Sequence, residues 1–179
     1  MRKVVVSELL TLDGVMASPE IWSFPFWNEE IARFKMDEIS DSGALLLGRI
    51  TYEGLSKAWP DSTEKYGFAG RINAMPKYVV STTLENAAWI NSSLIKEQIP
   101  EKITQLKAQP GQDILINGSA MLVQTLMQHC LVDEFRLLIF PVVVGSGKRL
   151  FQEGCEAGLK LLQSKMFSSG VVLMTYQAR

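Results

Sequence analysis

ILINGSAMLVQTLM, residues 114–127, changes its period halfway along. Ile114, Leu115 and Ile116 are apolar at successive positions, as in a strand buried on both faces. After Asn117-Gly118, Ser119 stands where a helix N-cap belongs, and Leu122, Val123, Leu126 and Met127 recur at helical spacing as one apolar face. A buried strand running straight into a helix is the unit from which parallel sheets are built. The same grammar recurs on either side. Ala44 to Leu47 ends at Gly48 and leads into a helical turn from Thr51 to Lys57, and Tyr78 to Ser81 is a short strand after Pro76. Pro100 opens a helix with Ile103 and Leu106 inward, which Pro110-Gly111 stops near Gln109. Upstream, Lys3 to Leu10 is strand-like. Asn28 caps a helix with Glu29 and Glu30 in its first turn and Ile31, Phe34, Lys35 and Glu38/Ile39 at helical spacing. The last third changes character: Phe135 to Val144, Leu159 to Phe167 and Val171 to Gln177 are strands without helices between them, the last two joined by the turn Ser168-Ser169-Gly170. The expected fold is α/β, a mixed, mostly parallel sheet flanked by helices, with an antiparallel C-terminal edge.

The chain has 179 residues, 18 Lys+Arg against 19 Asp+Glu, and a formal net charge of −1. This length suits one domain over residues 1–179, with no repeat or linker. The balanced charge leaves no excess of cations to neutralise nucleic-acid phosphates. The longest apolar run, Leu137 to Val144, is interrupted by Pro141 and falls far short of the ~20 residues that cross a bilayer. Glu8 and Asp13 break the apolar N-terminal stretch, so it does not read as a secretory signal. Cys130 and Cys155 form no C-x-x-C pair and His129 is the sole histidine, which predicts neither a disulfide framework nor a metal site and sets the cytoplasm as the compartment. His129 itself falls at the end of a helical pattern, where an imidazole suits the terminal carbonyls.

Chemistry is expected beyond the carboxyl ends of the strands, where loops enter helices. Gly48-Arg49-Ile50-Thr51 puts a glycine, a guanidinium and a hydroxyl at one such junction; Ser81-Thr82-Thr83 puts three hydroxyls at another; Gly118-Ser119 delivers a strand into a helix N-terminus. Glycine lets a phosphate reach the backbone, and N–H groups with the helix dipole favour an anion. Singly, each has a plainer reading as a turn or an N-cap. Three along one sheet edge point to an extended, multiply phosphorylated ligand. No G-x-G-x-x-G follows the first strand, and Gly145-Ser146-Gly147-Lys148 lacks the spacer of a Walker loop.

Several segments together resemble a known superfamily: SELLTLDGVMA (7–17), LLGRITYE (46–53), PKYVVS (76–81), NGSAML (117–122), and LVDEF (131–135) through Pro141 to GSGKRLF (145–151). The chain is similar to the dihydrofolate reductase-like fold, and more closely to the C-terminal reductase domain of bacterial riboflavin-biosynthesis enzymes. The resemblance implies a three-layer fold and NADPH-dependent reduction. It places Gly48, Arg49 and Thr51, with Ser81 and Thr82, on the adenosine side and its 2′-phosphate. It places Gly118 and Ser119, with Ala120 and Met121 following, at the pyrophosphate, Ser119 standing where the family has a second glycine. Asp13, Gly14 and Val15 would lie along the nicotinamide. Matching Phe34-Lys35 to the family's helix puts Glu30 where a folate reductase keeps its carboxylate, as a proton donor. The alternative for Glu30 is a carboxylate favoured by the helix dipole.

The reaction implied is reduction of 5-amino-6-(5-phosphoribosylamino)uracil, with Lys148-Arg149 as a candidate site for the substrate phosphate. A dihydrofolate or pteridine reductase and a non-catalytic nucleotide-binding dimer stand as alternatives. The zinc deaminase half that often accompanies this reductase has no counterpart, since neither H-x-E nor C-x-x-C occurs. Trp22, Phe24, Phe26 and Trp27 would stack on a planar heterocycle, plug a long loop or meet a second chain. Tyr52 and Trp59 read as packing. The apolar C-terminal strands leave an edge that a homodimer would cover.

Overall fold

A computed structural model describes residues 1–59 and 67–179. Eight strands form one sheet: β1 (Val4–Thr11), β2 (Ser42–Gly48), β3 (Lys77–Val80), β4 (Ser92–Ile95), β5 (Asp113–Ile116), β6 (Glu134–Phe140), β7 (Leu159–Met166) and β8 (Val172–Ala178). Their order is β4-β3-β2-β5-β1-β6-β8-β7. The first six in this order run parallel; β8 pairs antiparallel with β6, and β7 pairs antiparallel with β8 to close the edge. The helices are α1 (Pro19–Trp22), α2 (Glu29–Ser40), α3 (Arg49–Ala58), α4 (Gly67–Ala74), α5 (Ile99–Ala108) and α6 (Ala120–Gln128).

Continuous apolar runs become central strands because both faces of the sheet are covered. Val4, Val6, Leu46, Ile114 and Ile116 face one core, which Ile103 and Leu106 of α5 and Leu122, Val123 and Leu126 of α6 complete. Their neighbours Val5, Leu45, Leu47 and Leu115 face a second core with Ile39 of α2, Tyr52 of α3 and Ile72 of α4. The alternation is the strand period of two, with both sides dry. A third cluster joins Leu138 and Phe140 of β6, Leu173 of β8, Phe167 and Val171 to Trp22 and Ile31.

The expected helix signals hold locally. The Asn28 side chain accepts a hydrogen bond from the Ile31 N–H at 3.0 Å, and Pro100 sits in the first turn of α5. The turn at 168–170 links β7 to β8, with the Phe167 N–H donating to the Val171 carbonyl. The strand expected from Phe135 to Val144 is shorter: β6 stops at Phe140, because Pro141 has no N–H for the ladder. Two elements carried no clear signal. In α4, two glycines weaken the helix, and Arg71 compensates by donating to the carbonyls of Ile39 and Ser40 at the end of α2 and of Ser42 at the start of β2. β4 is a four-residue edge strand whose first half, Ser92-Ser93, is polar.

Candidate active site

The carboxyl ends of β3, β2, β5 and β1 lie side by side, so the three expected junctions share one rim. Gly48 is the N-cap of α3 and Ser119 the N-cap of α6, and neither helix start is capped by a side chain. The two starts touch. A Cβ on Gly48 would overlap Ser119 Oγ, and one on Gly118 would stand 2.6 Å from Thr51 Oγ1. Gly118 also has φ +88°, a conformation that side chains disfavour, and the peptide joining it to Ser119 is cis. Paired helix N-termini with uncapped first-turn N–H groups make a cradle for an anion. Arg49 is exposed beside it, in an exposed pair with Glu53 at 3.1 Å, and Met121 projects outward. At the β3 end, the Ser81 hydroxyl already accepts from the N–H groups of Thr83 and Leu84, while Thr82 is exposed.

Next to the cradle, β1 pairs with β5 only through Val6–Ile116, and β5 then turns away at Asn117. A cavity of about 490 Å³ opens at this parting. Its walls are apolar, with Trp27, Met36, Leu55, Trp59 and Phe68, while Glu8, Lys35, Thr51 and Asn117 supply polar groups. Successive residues of β1 point to opposite faces, so Ser7 meets α2 while Glu8 meets the start of α6. The Ser7 hydroxyl bonds Glu38 Oε2 at 2.8 Å; Lys35 Nζ bonds the same oxygen at 2.5 Å, Ser7 Oγ at 3.0 Å and Asn117 Oδ1 at 3.5 Å. Arg136, opposite Ser7 on β6, reaches Glu38 Oε1 at 3.4 Å. Its own charged form is favoured by the carboxylates of Glu134 and Glu38, which outweigh its partial burial. This network fixes the Lys35 ammonium at the cavity wall.

Glu8 is the residue that sequence reasoning left out. Its Oε1 accepts the Gly118 N–H at 2.5 Å, and no hydrogen bond among the described residues reaches Oε2. Only 6% of the residue is exposed, and burial pushes its carboxyl up to about 8, although the Gly118 N–H and Lys35 pull the other way. A carboxyl inside VVVSELLT, a strand with both faces covered, was the available signal.

Glu30, the expected proton donor, lies elsewhere. It is exposed on the outer side of α2, where it accepts from the Ser168 N–H at 2.7 Å and from the Ser168 hydroxyl. Those bonds hold its carboxyl below the usual range, so it is ionised and spent on the β7–β8 turn. Asp13 is similarly engaged: Thr11 Oγ1 donates to it at 2.6 Å, and the N–H groups of Gly145 and Val144 hold it ionised as a pin between two loops. Gly14 leaves open space beside its Cα, and Val15 is buried against Gly147; from this segment Leu9, Met16 and Pro19 line the cavity. Lys148 and Arg149 lie outside the lining, Arg149 donating to the Asp13 carbonyl at 3.0 Å. The aromatic loop divides. Trp22 and Phe26 pack edge-on against Phe140 as a plug, Phe24 is exposed, and Trp27 faces the cavity. Tyr52 is packing, its hydroxyl accepting the Trp89 N–H, whereas Trp59 lines the cavity as well as stacking near Phe68.

The sheet order and the placement of the cavity define a dihydrofolate reductase-like α/β domain with a cleft at its parallel strand ends. The chain belongs to the RibD C-terminal domain family, which it matches over residues 2–173. It is 32% identical over 187 residues to the YyaP protein of Bacillus subtilis (strain 168), covering 98% of this chain and 94% of that one. Solved structures that share its fold include two enzymes of known reaction class. One is the diaminohydroxyphosphoribosylaminopyrimidine deaminase/5-amino-6-(5-phosphoribosylamino)uracil reductase of Thermotoga maritima, with a TM-score of 0.70 and 14% identity, covering 99% of this chain and 57% of that one. The other is dihydrofolate reductase from Enterococcus faecalis complexed with NADP(H), with a TM-score of 0.65 and 13% identity, covering 99% and 96%. Among the described residues no helix is long and apolar enough to cross a membrane.

Proposed function

We propose that this protein is an NADPH-dependent reductase of a small planar heterocycle, with 5-amino-6-(5-phosphoribosylamino)uracil as the named candidate. The observation that carries the reading is the contact between two uncapped helix starts, Gly48–Ser119 and Gly118–Thr51, directly beside an apolar cavity that holds a buried acid. The residues fit a dinucleotide. The cradle would receive the pyrophosphate on backbone N–H groups of Ser119, Ala120 and Met121, and Arg49 is free to turn from its exposed pair toward a 2′-phosphate. When bound there, a dinucleotide would supply hydride chemistry to an acceptor carbon. The chain's own part is to position and to exclude water. Trp27, Trp59 and Phe68 offer flat faces to a ring, and Met36 and Leu55 keep the pocket dry. Lys35, fixed by Glu38, holds an ammonium where negative charge would gather on the acceptor. Membership of the RibD C-terminal domain family and the fold shared with a pyrimidine reductase support this reading.

A pteridine is the second reading. The observation in its favour is that Lys35, the cation among the described lining residues, is already paired with Glu38, which leaves none there for a substrate phosphate. We also propose a homodimer, supported by Leu161, Leu162 and Met166, which are exposed on the edge strand β7. The test of function is a melting-temperature titration with NADPH and with NADH. A ligand that binds only the folded state raises the melting point as its concentration passes the dissociation constant. NADPH should raise it and NADH should not; no shift with either removes the reading. A shift without oxidation of NADPH by either acceptor would leave a nucleotide-binding dimer.

A further inference from the structure

We infer that Glu8 is the proton donor of the reduction, its Oε2 presenting an acid proton to the acceptor heteroatom in the cavity; this rests on the reductase reading above. The geometry is specific to this carboxyl. It sits where β1 leaves β5, nine-tenths buried and in the wall of the cavity, with Oε1 fixed by the Gly118 N–H and Oε2 reached by no hydrogen bond among the described residues. An acid held through one oxygen accepts at the carbonyl and keeps its O–H for a guest.

The groups around it suit a donor that must recover. Lys35 and Glu38 approach from α2, Arg136 of β6 pairs with Glu38, and Asn117 and the Gly118 N–H come from the β5–α6 junction; from α3 come Thr51 and Leu55, which are uncharged. Burial dominates and holds the carboxyl up to about 8, so the acid form prevails at neutral pH. In the step, the carbon of a C=N or C=O bond would gain a hydride as a C–H bond of the reduced nicotinamide breaks, so that the acceptor is reduced and the dinucleotide oxidised to NADP+. The π pair moves to the heteroatom, which takes the proton from Oε2. One C–H and one N–H or O–H bond form, and Glu8 is left as a carboxylate near the Lys35 ammonium. Water returns a proton to it as the reduced product leaves. Hydrogen-bond donation and proton transfer thus come from one buried group, the arrangement by which enzymes keep a carboxylic acid protonated near neutral pH.

The test uses the whole protein, wild type and Glu8→Gln, which keeps a carbonyl for the Gly118 N–H. Infrared spectra should show a protonated-carboxyl band at neutral pH in the wild type, absent from Glu8→Gln and titrating with a midpoint near 8. This arm needs no substrate; its failure, an ionised Glu8 at neutral pH, overturns the proposal. In turnover with NADPH and either 5-amino-6-(5-phosphoribosylamino)uracil or dihydrofolate, the wild-type rate should fall as pH rises through about 8. Glu8→Gln should lose about 100-fold and that alkaline limb, while its NADPH-induced melting shift stays. A variant that keeps the wild-type rate and limb overturns this role alone. A wild type whose melting point NADPH leaves unmoved overturns the reductase reading and this role with it.

Discussion

Replacing Glu8 by Gln should make the folded protein more stable, and increasingly so as pH rises. In the unfolded chain the carboxyl titrates at its ordinary 4.5; in the fold burial holds it to about 8. The folded state therefore keeps a proton that the unfolded state releases, so Glu8 takes no stability away below 4.5 and progressively more between 4.5 and about 8. Each unit of difference corresponds to about 1.4 kcal/mol, which puts the full loss above the window at about 5 kcal/mol and the change from pH 5 to pH 8 at about 3.5 kcal/mol. Gln has nearly the same shape, can accept the Gly118 N–H, and does not titrate. Urea unfolding of both proteins at these two pH values, with the slopes shown to match, measures the gap between them. The reasoning predicts that the gap widens toward alkaline pH in favour of Glu8→Gln. A gap that is constant within ~0.5 kcal/mol, or one that widens in favour of the wild type, would show that the carboxyl ionises freely and refute the argument.

Other substitutions test neighbouring parts of the account. Glu30→Gln should leave turnover within about twofold, because this exposed carboxylate bonds the Ser168 turn and Asn28 and lies outside the cavity lining; steady-state rates check it. Glu38→Ala should destabilise the protein by about 3–5 kcal/mol in urea unfolding, since it leaves Lys35 and Arg136 without their shared buried partner. Arg49→Ala should bring the affinities for NADPH and NADH to within about threefold of each other with little change in stability, as its present pair is exposed; titration calorimetry with both dinucleotides reads this out.

The central sheet was legible because a strand covered on both faces must be apolar at every position, and Ala44–Leu47 and Ile114–Ile116 are. The helix starts at Asn28 and Ser119 were legible from local chemistry. β4 was not: as an edge strand it can carry Ser92 and Ser93, which give no period. α4 owes its place to Arg71 reaching the end of α2, a contact made across 30 residues that no local pattern encodes. The site split along the same line. Its backbone cradle follows from glycines at strand ends, which can be read in order along the chain. Its acid does not, because matching Glu30 through Phe34-Lys35 fixed only a helical register, whereas the sheet faces Lys35 and Glu38 of that helix and sends residue 30 to the β7–β8 turn. Glu8 was legible only as a carboxyl inside the otherwise apolar strand VVVSELLT; that it meets a cavity depends on the parting of β1 from β5, which no local pattern encodes.

Trp27 and Trp59 flank the cavity, so a reduced nicotinamide bound there would accept their fluorescence energy. Titrating the protein with NADPH while following tryptophan emission therefore probes occupancy of the cleft directly. The account predicts saturable quenching at one equivalent per chain, lost in Gly118→Ala, whose new methyl would stand 2.6 Å from Thr51 Oγ1 inside the cradle. Emission that falls only in proportion to added NADPH, without saturation, or equal saturation in Gly118→Ala, would contradict it.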